Sequence, residues 1–216
     1  MIVYNKTKED FSNDVLTNSI SKIVSDQILE KTGKKTASNE LRSFQNSLGF
    51  MDRVLADQSI PEDCGISIEY HLPQTSKRVD FIISGQNKEL ENAIIIELKQ
   101  WENAEITTKD GIVKTRFQNG NVETSHPSYQ AWSYVALLKA FNQTVSEESI
   151  GLYPCAYLHN YYPDDIIKNK FYEYYVEKAP VFLRDDAVKL REFIKQHINR
   201  GDNTNIIGRI DNGKIK

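Results

Sequence analysis

Charged side chains stand inside two apolar stretches that otherwise have the pattern of buried β-strands. The stretch 92–101 contains three consecutive isoleucines followed by Glu97, Leu98 and Lys99. β-Branched residues favour strands, and a short apolar run of this kind predicts a strand buried on both faces. Successive side chains of a strand point to opposite faces, so Glu97 and Lys99 share one face. Because desolvating a bare charge is costly, this pair indicates either a salt bridge at a strand terminus or a reactive site.

A second carboxylate interrupts the apolar stretch 77–85. This carboxylate belongs to Asp80, seventeen positions before Glu97. The two stretches are close enough in sequence to form neighbouring strands, which would place Asp80 beside Glu97 with Lys99 next to both. Adjacent carboxylates repel unless a cation lies between them, and oxygen ligands with further open positions suit Mg²⁺ or Mn²⁺. The sequence therefore predicts a divalent metal between these two strands.

A third motif follows on a predicted helix, where Gln130 and Tyr134 are four positions apart and so share a face. The order Asp80, then Glu97-Leu98-Lys99, then Gln130-x-x-x-Tyr134 resembles the PD-(D/E)xK nuclease superfamily, and the last pair resembles its RecB-like branch. The resemblance implies an α/β, restriction-endonuclease-like fold with a mixed central sheet flanked by helices.

The same resemblance implies a site and a reaction, the Mg²⁺- or Mn²⁺-dependent hydrolysis of phosphodiester bonds. Asp80, Glu97 and the backbone carbonyl of Leu98 would hold the metal ion, and Lys99 would orient the attacking hydroxide. On the helix, Gln130 would position water or phosphate and Tyr134 would line the site.

Two further glutamates and one arginine are candidates for this site, each with an alternative role. Glu40 opens a helix that often donates a metal ligand in the resembling superfamily, but a glutamate in a first helical turn also complements the helix dipole. Glu69 either reaches the metal from a neighbouring strand or pairs with Lys77 or Arg78. Arg78 shares a face with Asp80 and is either a carboxylate partner or a phosphate contact.

An inserted β-hairpin is predicted between the Glu-x-Lys strand and the Gln130 helix. Residues 112–117 and 122–124 flank a segment containing Asn119-Gly120, which is a strong hairpin-turn sequence. Its basic residues either contact a nucleic-acid backbone or are ordinary solvated side chains: Lys109, Lys114 and Arg116. His126, ahead of the helix, is a helix-start polar group, a DNA contact or a site residue.

Length and composition are those of one soluble globular domain, with 216 residues, 39% hydrophobic and 26% charged. We expect a single nuclease domain made of a helical layer (1–35), a nuclease core (36–200) and a C-terminal tail or linker (201–216), with a strand at 206–207. No apolar run approaches the roughly 18–20 residues of a membrane span, and no secretory signal is visible. A cytoplasmic location without a membrane partner is expected.

The overall charge bears on the partner. The net charge is −3 and the pI about 5.9, whereas a dedicated nucleic-acid binder is usually basic. DNA contact would therefore need a local positive patch or a second domain.

Longer stretches of the chain are similar to the N-terminal nuclease domain of bacterial nuclease–helicase proteins that carry a schlafen-like P-loop helicase. These stretches are 76–85, 95–101, 126–134 and 152–160. The similarity implies DNA as substrate, a helicase in cis if the chain is a fragment, and a role in phage defence or DNA processing. The alternatives are an RNA nuclease with the same site and a non-catalytic nucleic-acid-binding or docking module with a nuclease-like fold.

Overall fold

The structure is a computed structural model that describes residues 1–73, 75–117 and 120–214. Its strands are β1 (Tyr4–Thr7), β2 (Gly65–His71), β3 (Arg78–Asn87), β4 (Leu90–Lys99), β5 (Glu105–Ile106), β6 (Ile112–Phe117), β7 (Gly120–Ser125), β8 (Gly151–Leu158) and β9 (Val181–Leu183). Its α-helices are α1 (Lys8–Leu16), α2 (Ile20–Thr32), α3 (Ser38–Leu55), α4 (Pro127–Phe141), α5 (Gln143–Glu147), α6 (Glu173–Lys178), α7 (Ala187–His197) and α8 (Ile206–Asn212). None of the helices in these ranges combines the length and apolarity that a membrane span requires.

A mixed six-stranded sheet forms the centre of the molecule, in the order β1-β2-β3-β4-β8-β9. The strands β1 to β4 pair in antiparallel fashion, whereas β4-β8 and β8-β9 are parallel pairs. Helices cover both faces of the sheet. The predicted α/β class with a mixed central sheet flanked by helices is therefore confirmed.

The alternation of side chains along β3 and β4 sorts the core into two layers. Phe81, Ile83, Ile94 and Ile96 face a cluster that includes residues of α1, α2, α3 and α7. The intervening side chains, such as Ile95, face a cluster supplied by α4 and α8. Each fully buried side chain of this size contributes about 1.5–3 kcal/mol to the free energy of unfolding. A one-residue slip of the register would move every side chain to the opposite face and so disrupt both layers.

A separate three-stranded antiparallel sheet, in the order β5-β6-β7, lies between β4 and α4 along the chain. The strands β6 and β7 pair from Ile112↔Ser125 to Phe117↔Gly120. Asn119 of the predicted Asn119-Gly120 turn lies outside the described residues, and Gly120 is the first residue of β7.

The C-terminal region forms the helix α8, so the strand predicted at Ile206-Ile207 is wrong. Ile206, Ile207 and Ile210 are all buried against the sheet, at the spacing of one helical face. Asn205 caps the helix with its side-chain oxygen, which accepts from the Gly208 N–H at 3.2 Å. Two adjacent isoleucines are compatible with either a strand or a helix. Here the third buried position of the helix is Ile210, three residues after Ile207, and the pair alone does not indicate it.

Candidate active site

The register of β3 and β4 brings Asp80 and Glu97 together. Phe81 pairs with Ile96 across the two strands, so Asp80 and Glu97 form the next pair and share a face, the one covered by α4. Asp80 is held by the end of β4 itself, because its Oδ2 accepts the backbone N–H of Leu98 at 2.9 Å. Glu97 is only 1% exposed, and Asp80 is half-buried. The juxtaposition expected from the sequence is present.

The Lys99 ammonium donates a hydrogen bond to Glu97 Oε1, and the two groups form a partly buried ion pair. Burial and the charge of Asp80 raise the pKa of Glu97 to about 8, although Lys99 opposes the shift. For Lys99, burial lowers the pKa, but the charges of Glu97 and Asp80 outweigh it and the net shift is upward. Glu97 is therefore the member of the pair that titrates, and Lys99 keeps its charge. The second carboxylate oxygen, Glu97 Oε2, is buried without a hydrogen-bond partner among the described residues.

Helix α4 covers this face of the sheet and carries Gln130 and Tyr134. Gln130 Nε2 donates to the Tyr134 hydroxyl at 2.6 Å. Tyr134 is buried, and after burial itself the negative charge of Glu97 contributes most to raising its pKa. Gln130 and Tyr134 thus share one helix face, at the spacing of four that the sequence indicated, and Tyr134 is the one that lies near Glu97.

Glu69 and Glu40 both approach Arg78. Arg78 Nε lies 2.7 Å from Glu69 Oε2, and Arg78 Nη2 lies 3.7 Å from Glu40 Oε1. Of the two roles considered for Arg78, the structure shows the carboxylate partner, and Glu69 pairs with Arg78 rather than with Lys77. No group of three or more His, Cys, Asp and Glu side chains is arranged to hold a metal ion within residues 1–73, 75–117 and 120–214.

Glu69 has an unusual backbone in the middle of β2. The register places it opposite Asp80, between the pairs Ile68↔Phe81 and Tyr70↔Val79, yet its φ is +56°. A non-glycine residue in this left-handed region costs of the order of 1 kcal/mol or more and persists only where its surroundings hold it. The strain therefore lies beside the two acids, and the residue type gave no indication of it.

Lys77 is a site neighbour that sequence reasoning considered only as a partner for Glu69. Its ammonium donates to Ser133 Oγ of α4 at 3.1 Å and lies 5.8 Å from the centre of the Tyr134 ring. Lys77 therefore ties the start of β3 to the helix face that carries Tyr134.

The basic residues around β6 differ in their surroundings. Lys109 pairs with Glu123, and Lys114 pairs with Glu105 at 3.1 Å. Arg116 instead lines the same cleft as Asp80 and Lys99. Ion pairing thus neutralises two of the three cations predicted to contact nucleic acid, and the third lies at the candidate site.

His126 as a DNA contact is wrong, and the helix-start role is the one observed. The side chain is fully buried, and its Nδ1 accepts from the N–H of Ser128 at the start of α4. Its Nε2 lies 2.9 Å from the Ile167 carbonyl, and its ring stacks on Tyr172. A side chain enclosed in this way cannot reach a nucleic acid.

An open cleft of about 540 Å³ is lined by Asp80 and Lys99, whereas Glu97, Gln130 and Tyr134 are not among its lining residues. Its lining residues come from α3, β2, the start of β3, the end of β4 and the segment that follows it, and from β6 and β7: Glu40, Ser43, Phe44, Ser47, Glu69, Arg78, Asp80, Leu98, Lys99, Gln100, Trp101, Glu102, Asn103, Arg116, Phe117 and Thr124. Sequence reasoning missed the contribution of α3 beyond Glu40. It also missed Gln100, which donates to Ser47 Oγ at 3.0 Å while that oxygen lies 2.9 Å from His159 Nε2. The position of Gln100, next to Lys99 at the end of β4, was the available indication.

Asp80, Glu97 and the Leu98 carbonyl are the groups that could hold a divalent cation here. All three offer oxygen, the ligand type that Mg²⁺ and Mn²⁺ take, and both ions commonly complete their coordination with water. The buried, unpartnered Glu97 Oε2 is an acceptor that a cation would satisfy. The residues present therefore fit a hard divalent ion bound through two carboxylates.

The functional assignment rests on these side chains, because comparison with known proteins found no match. No protein-family model, no curated protein and no solved structure matches the chain.

Proposed function

We propose that this protein is a metal-dependent nuclease of the PD-(D/E)xK type, in its RecB-like branch, that hydrolyses phosphodiester bonds in DNA. One observation carries the proposal: Asp80 and Glu97 lie side by side on adjacent strands, and Lys99, which lines an open cleft together with Asp80, is paired to Glu97. A salt bridge that only stabilised the fold would need no second carboxylate beside it. The neighbouring charge of Asp80 opposes ionisation of Glu97, a cost that a bound cation would remove.

The metal would be held by Asp80, Glu97 and the carbonyl of Leu98. When bound, it would supply a water of lowered pKa and positive charge beside the phosphate. Asp80 is already oriented for this role, because the Leu98 N–H fixes one of its oxygens. Glu40 and Glu69 stay with Arg78, so the proposed site uses two protein carboxylates.

The remaining groups act on the reacting phosphate. Hydrolysis adds a water oxygen to phosphorus and breaks the bond to the leaving sugar oxygen, while negative charge builds on the non-bridging oxygens. Lys99 lines the cleft as a charged donor and would stabilise that charge. Gln130 would orient the attacking water or the phosphate, and the buried Tyr134 hydroxyl holds the Gln130 amide in place.

The charge of the cleft makes binding of a polyanion dependent on the cation. Five carboxylates line it or adjoin it, from Glu40, Glu69, Asp80, Glu97 and Glu102, against three cations, from Arg78, Lys99 and Arg116. A divalent ion would offset part of this excess. A helicase domain in cis, as in the proteins that the sequence resembles, would add further contacts with DNA. The whole protein would then act in phage defence or DNA processing.

A metal titration with nucleic-acid substrates tests the proposal. Supercoiled plasmid, a single-stranded oligonucleotide and an RNA of matched sequence would be incubated with wild type at increasing Mg²⁺ or Mn²⁺. Lys99→Ala and Asp80→Ala should abolish cleavage, whereas Lys22→Ala, an exposed lysine paired with Asp26 on α2, should cut like wild type.

Each alternative gives a different result. Cleavage confined to RNA would identify the same site as an RNA nuclease. Binding without cleavage at any metal concentration would favour the non-catalytic module, and full activity of folded Lys99→Ala would refute the assignment.

A further inference from the structure

The lining of the cleft contains aromatic side chains as well as the acids. Three aromatic side chains line the cleft: Phe44 of α3, Trp101 just beyond β4, and Phe117 at the end of β6. Trp101 is buried, whereas Phe117 is 46% exposed. Exposing a phenylalanine ring at a cleft wall forgoes the stability that its burial would contribute. This aromatic wall has no role in the metal site described above.

The strand that carries Phe117 is fixed against the rest of the molecule. Thr115 Oγ1 donates to the Asn103 carbonyl at 2.7 Å, and the Tyr172 hydroxyl donates to the Ile112 carbonyl at 2.7 Å. Val113 is fully buried in one cluster with Trp101. Residues 112–115 are therefore anchored, and the next two residues, Arg116 and Phe117, project from a rigid base.

Arg116 is the cation of this strand pair that is open to a ligand. Lys109 and Lys114 are neutralised by Glu123 and Glu105. Arg116 has no ion-pair partner among the residues that the structure describes, and its neighbour across the β6-β7 pair is the uncharged Asn121. An unpaired guanidinium next to an exposed aromatic ring matches a nucleotide, which presents a phosphate and a flat base.

The aromatic wall begins directly beside the proposed reaction centre. The ammonium of Lys99 lies 5.7 Å from the centre of the Trp101 ring. A chain whose phosphate is cleaved next to Lys99 would therefore pass its adjacent nucleotide along this wall. The cleft volume of about 540 Å³ is within the roughly 300–1,000 Å³ of sites that accept nucleotide-sized ligands.

We propose that Arg116 and Phe117 form a nucleotide-binding subsite, in which a base stacks on Phe117 and its phosphate contacts Arg116. This inference rests on the proposed function, because it concerns the nucleotide adjacent to the cleaved bond. A base offers its face to Phe117 only when it is unstacked from a duplex, so the strand enters this cleft unpaired. Stacking is available to every base, which makes recognition here independent of sequence.

Binding measurements in a cleavage-deficient Lys99→Ala background test the subsite. Fluorescence anisotropy would compare a labelled mixed-sequence single strand with the same sequence as a blunt duplex, both in Mg²⁺. Adding Phe117→Ala should weaken single-strand binding by about fivefold or more. The matched control is Phe171→Ala, which removes a phenylalanine that is 45% exposed and does not line the cleft, and it should change the Kd by less than about twofold.

The arginine has its own matched control on the same strand. Arg116→Ala should reduce the slope of log K against log salt for the single strand by about 0.7, the value for one phosphate contact. Lys114→Ala should leave the slope nearly unchanged, because Glu105 already neutralises that lysine. In the wild-type background, Phe117→Ala should raise KM for single strands with little change in kcat, a readout that also serves if the Lys99→Ala background proves too unstable.

Two results would overturn the inference and are distinguishable. If Phe117→Ala binds and cuts single strands like Phe171→Ala, while cleavage still depends on Lys99, the subsite is wrong and the proposed function stands. If wild type neither binds nor cuts any strand in Mg²⁺ or Mn²⁺, both fail together. Equal losses of affinity for single strand and duplex would likewise refute an unpaired strand at Phe117.

Discussion

Replacing Lys99 by methionine separates the electrostatic role of this residue from its proposed catalytic role. Methionine has about the same length and no charge, so packing changes little. Glu97 then loses its partner while remaining 1% exposed. Breaking a buried pair in this way costs about 3–5 kcal/mol when the remaining group stays charged, but much less when that group can take up a proton.

The pKa of Glu97 sets the size and the sign of the effect. Burial and Asp80 raise it from 4.5 to about 8 in the folded protein. The pKa of this carboxyl group is higher in the folded protein than in the unfolded chain. The free energy of unfolding therefore falls as pH rises from about 4.5 to the folded pKa, by at most about 1.4 kcal/mol per pH unit. Without Lys99, the folded pKa of Glu97 rises further, so the decline continues above pH 8, where the wild-type contribution has levelled off.

We therefore expect Lys99→Met to lower the free energy of unfolding by about 1 kcal/mol at pH 6, which is the typical net contribution of one hydrogen bond. At about pH 9.5 the cost should grow by up to roughly 2 kcal/mol. Urea unfolding in EDTA, followed by circular dichroism at both pH values, measures this. In a Glu97→Gln background, the growth with pH should vanish because no carboxyl remains to titrate.

A cost of Lys99→Met that does not grow with pH, or a growth with pH that persists in the Glu97→Gln background, would refute the ion-pair reasoning. Cleavage provides the separate readout, since Lys99→Met should lower kcat by about 10²–10³ at any pH at which it stays folded. A variant that is stable and fully active would remove Lys99 from the mechanism.

Three further predictions concern the neighbouring groups. Mg²⁺ should raise the Tm of wild type more at about pH 9 than at pH 6, because protons compete with the metal for the Glu97 carboxylate, whose pKa is raised, and Asp80→Ala should abolish the shift in differential scanning fluorimetry. Tyr134→Phe and Gln130→Ala should each lower kcat by about tenfold, and the double variant should cost little more than either, because one hydrogen bond links the two side chains; additive losses in single-turnover cleavage would contradict that link. Glu69→Gly should cost less unfolding free energy than Ser67→Gly by about 1 kcal/mol, because glycine relieves the left-handed backbone at Glu69; equal costs in urea denaturation would show that no strain is stored there.

Much of the site could be predicted from local patterns. Alternation along a strand is a property of the backbone, so the shared face of Glu97 and Lys99 follows from their spacing. The short connection between β3 and β4 makes them antiparallel neighbours, and the apolar pattern of both strands sets the register that pairs Asp80 with Glu97. The i, i+4 relation of Gln130 and Tyr134 is equally local.

Ion-pair partners and burial depended on contacts between distant segments. The sequence left Arg78 with several possible carboxylates, and the fold selected Glu69 on β2 with Glu40 nearby. His126 looked available to a ligand, yet it is enclosed by the segment around Ile167, some forty residues later. The two isoleucines at 206 and 207 became helical because the sheet surface accepts Ile210 as well.

The sequence by itself determined which side chains could do chemistry together, because strand and helix periodicity fix the faces on which those side chains lie. Only the tertiary structure decided what surrounds them. The left-handed backbone at Glu69, the support of Gln100 by Ser47 and His159, and the wall formed by Arg116 and Phe117 each require segments far apart in the chain. No local pattern encodes such contacts, since they arise when helices and sheets pack to exclude water.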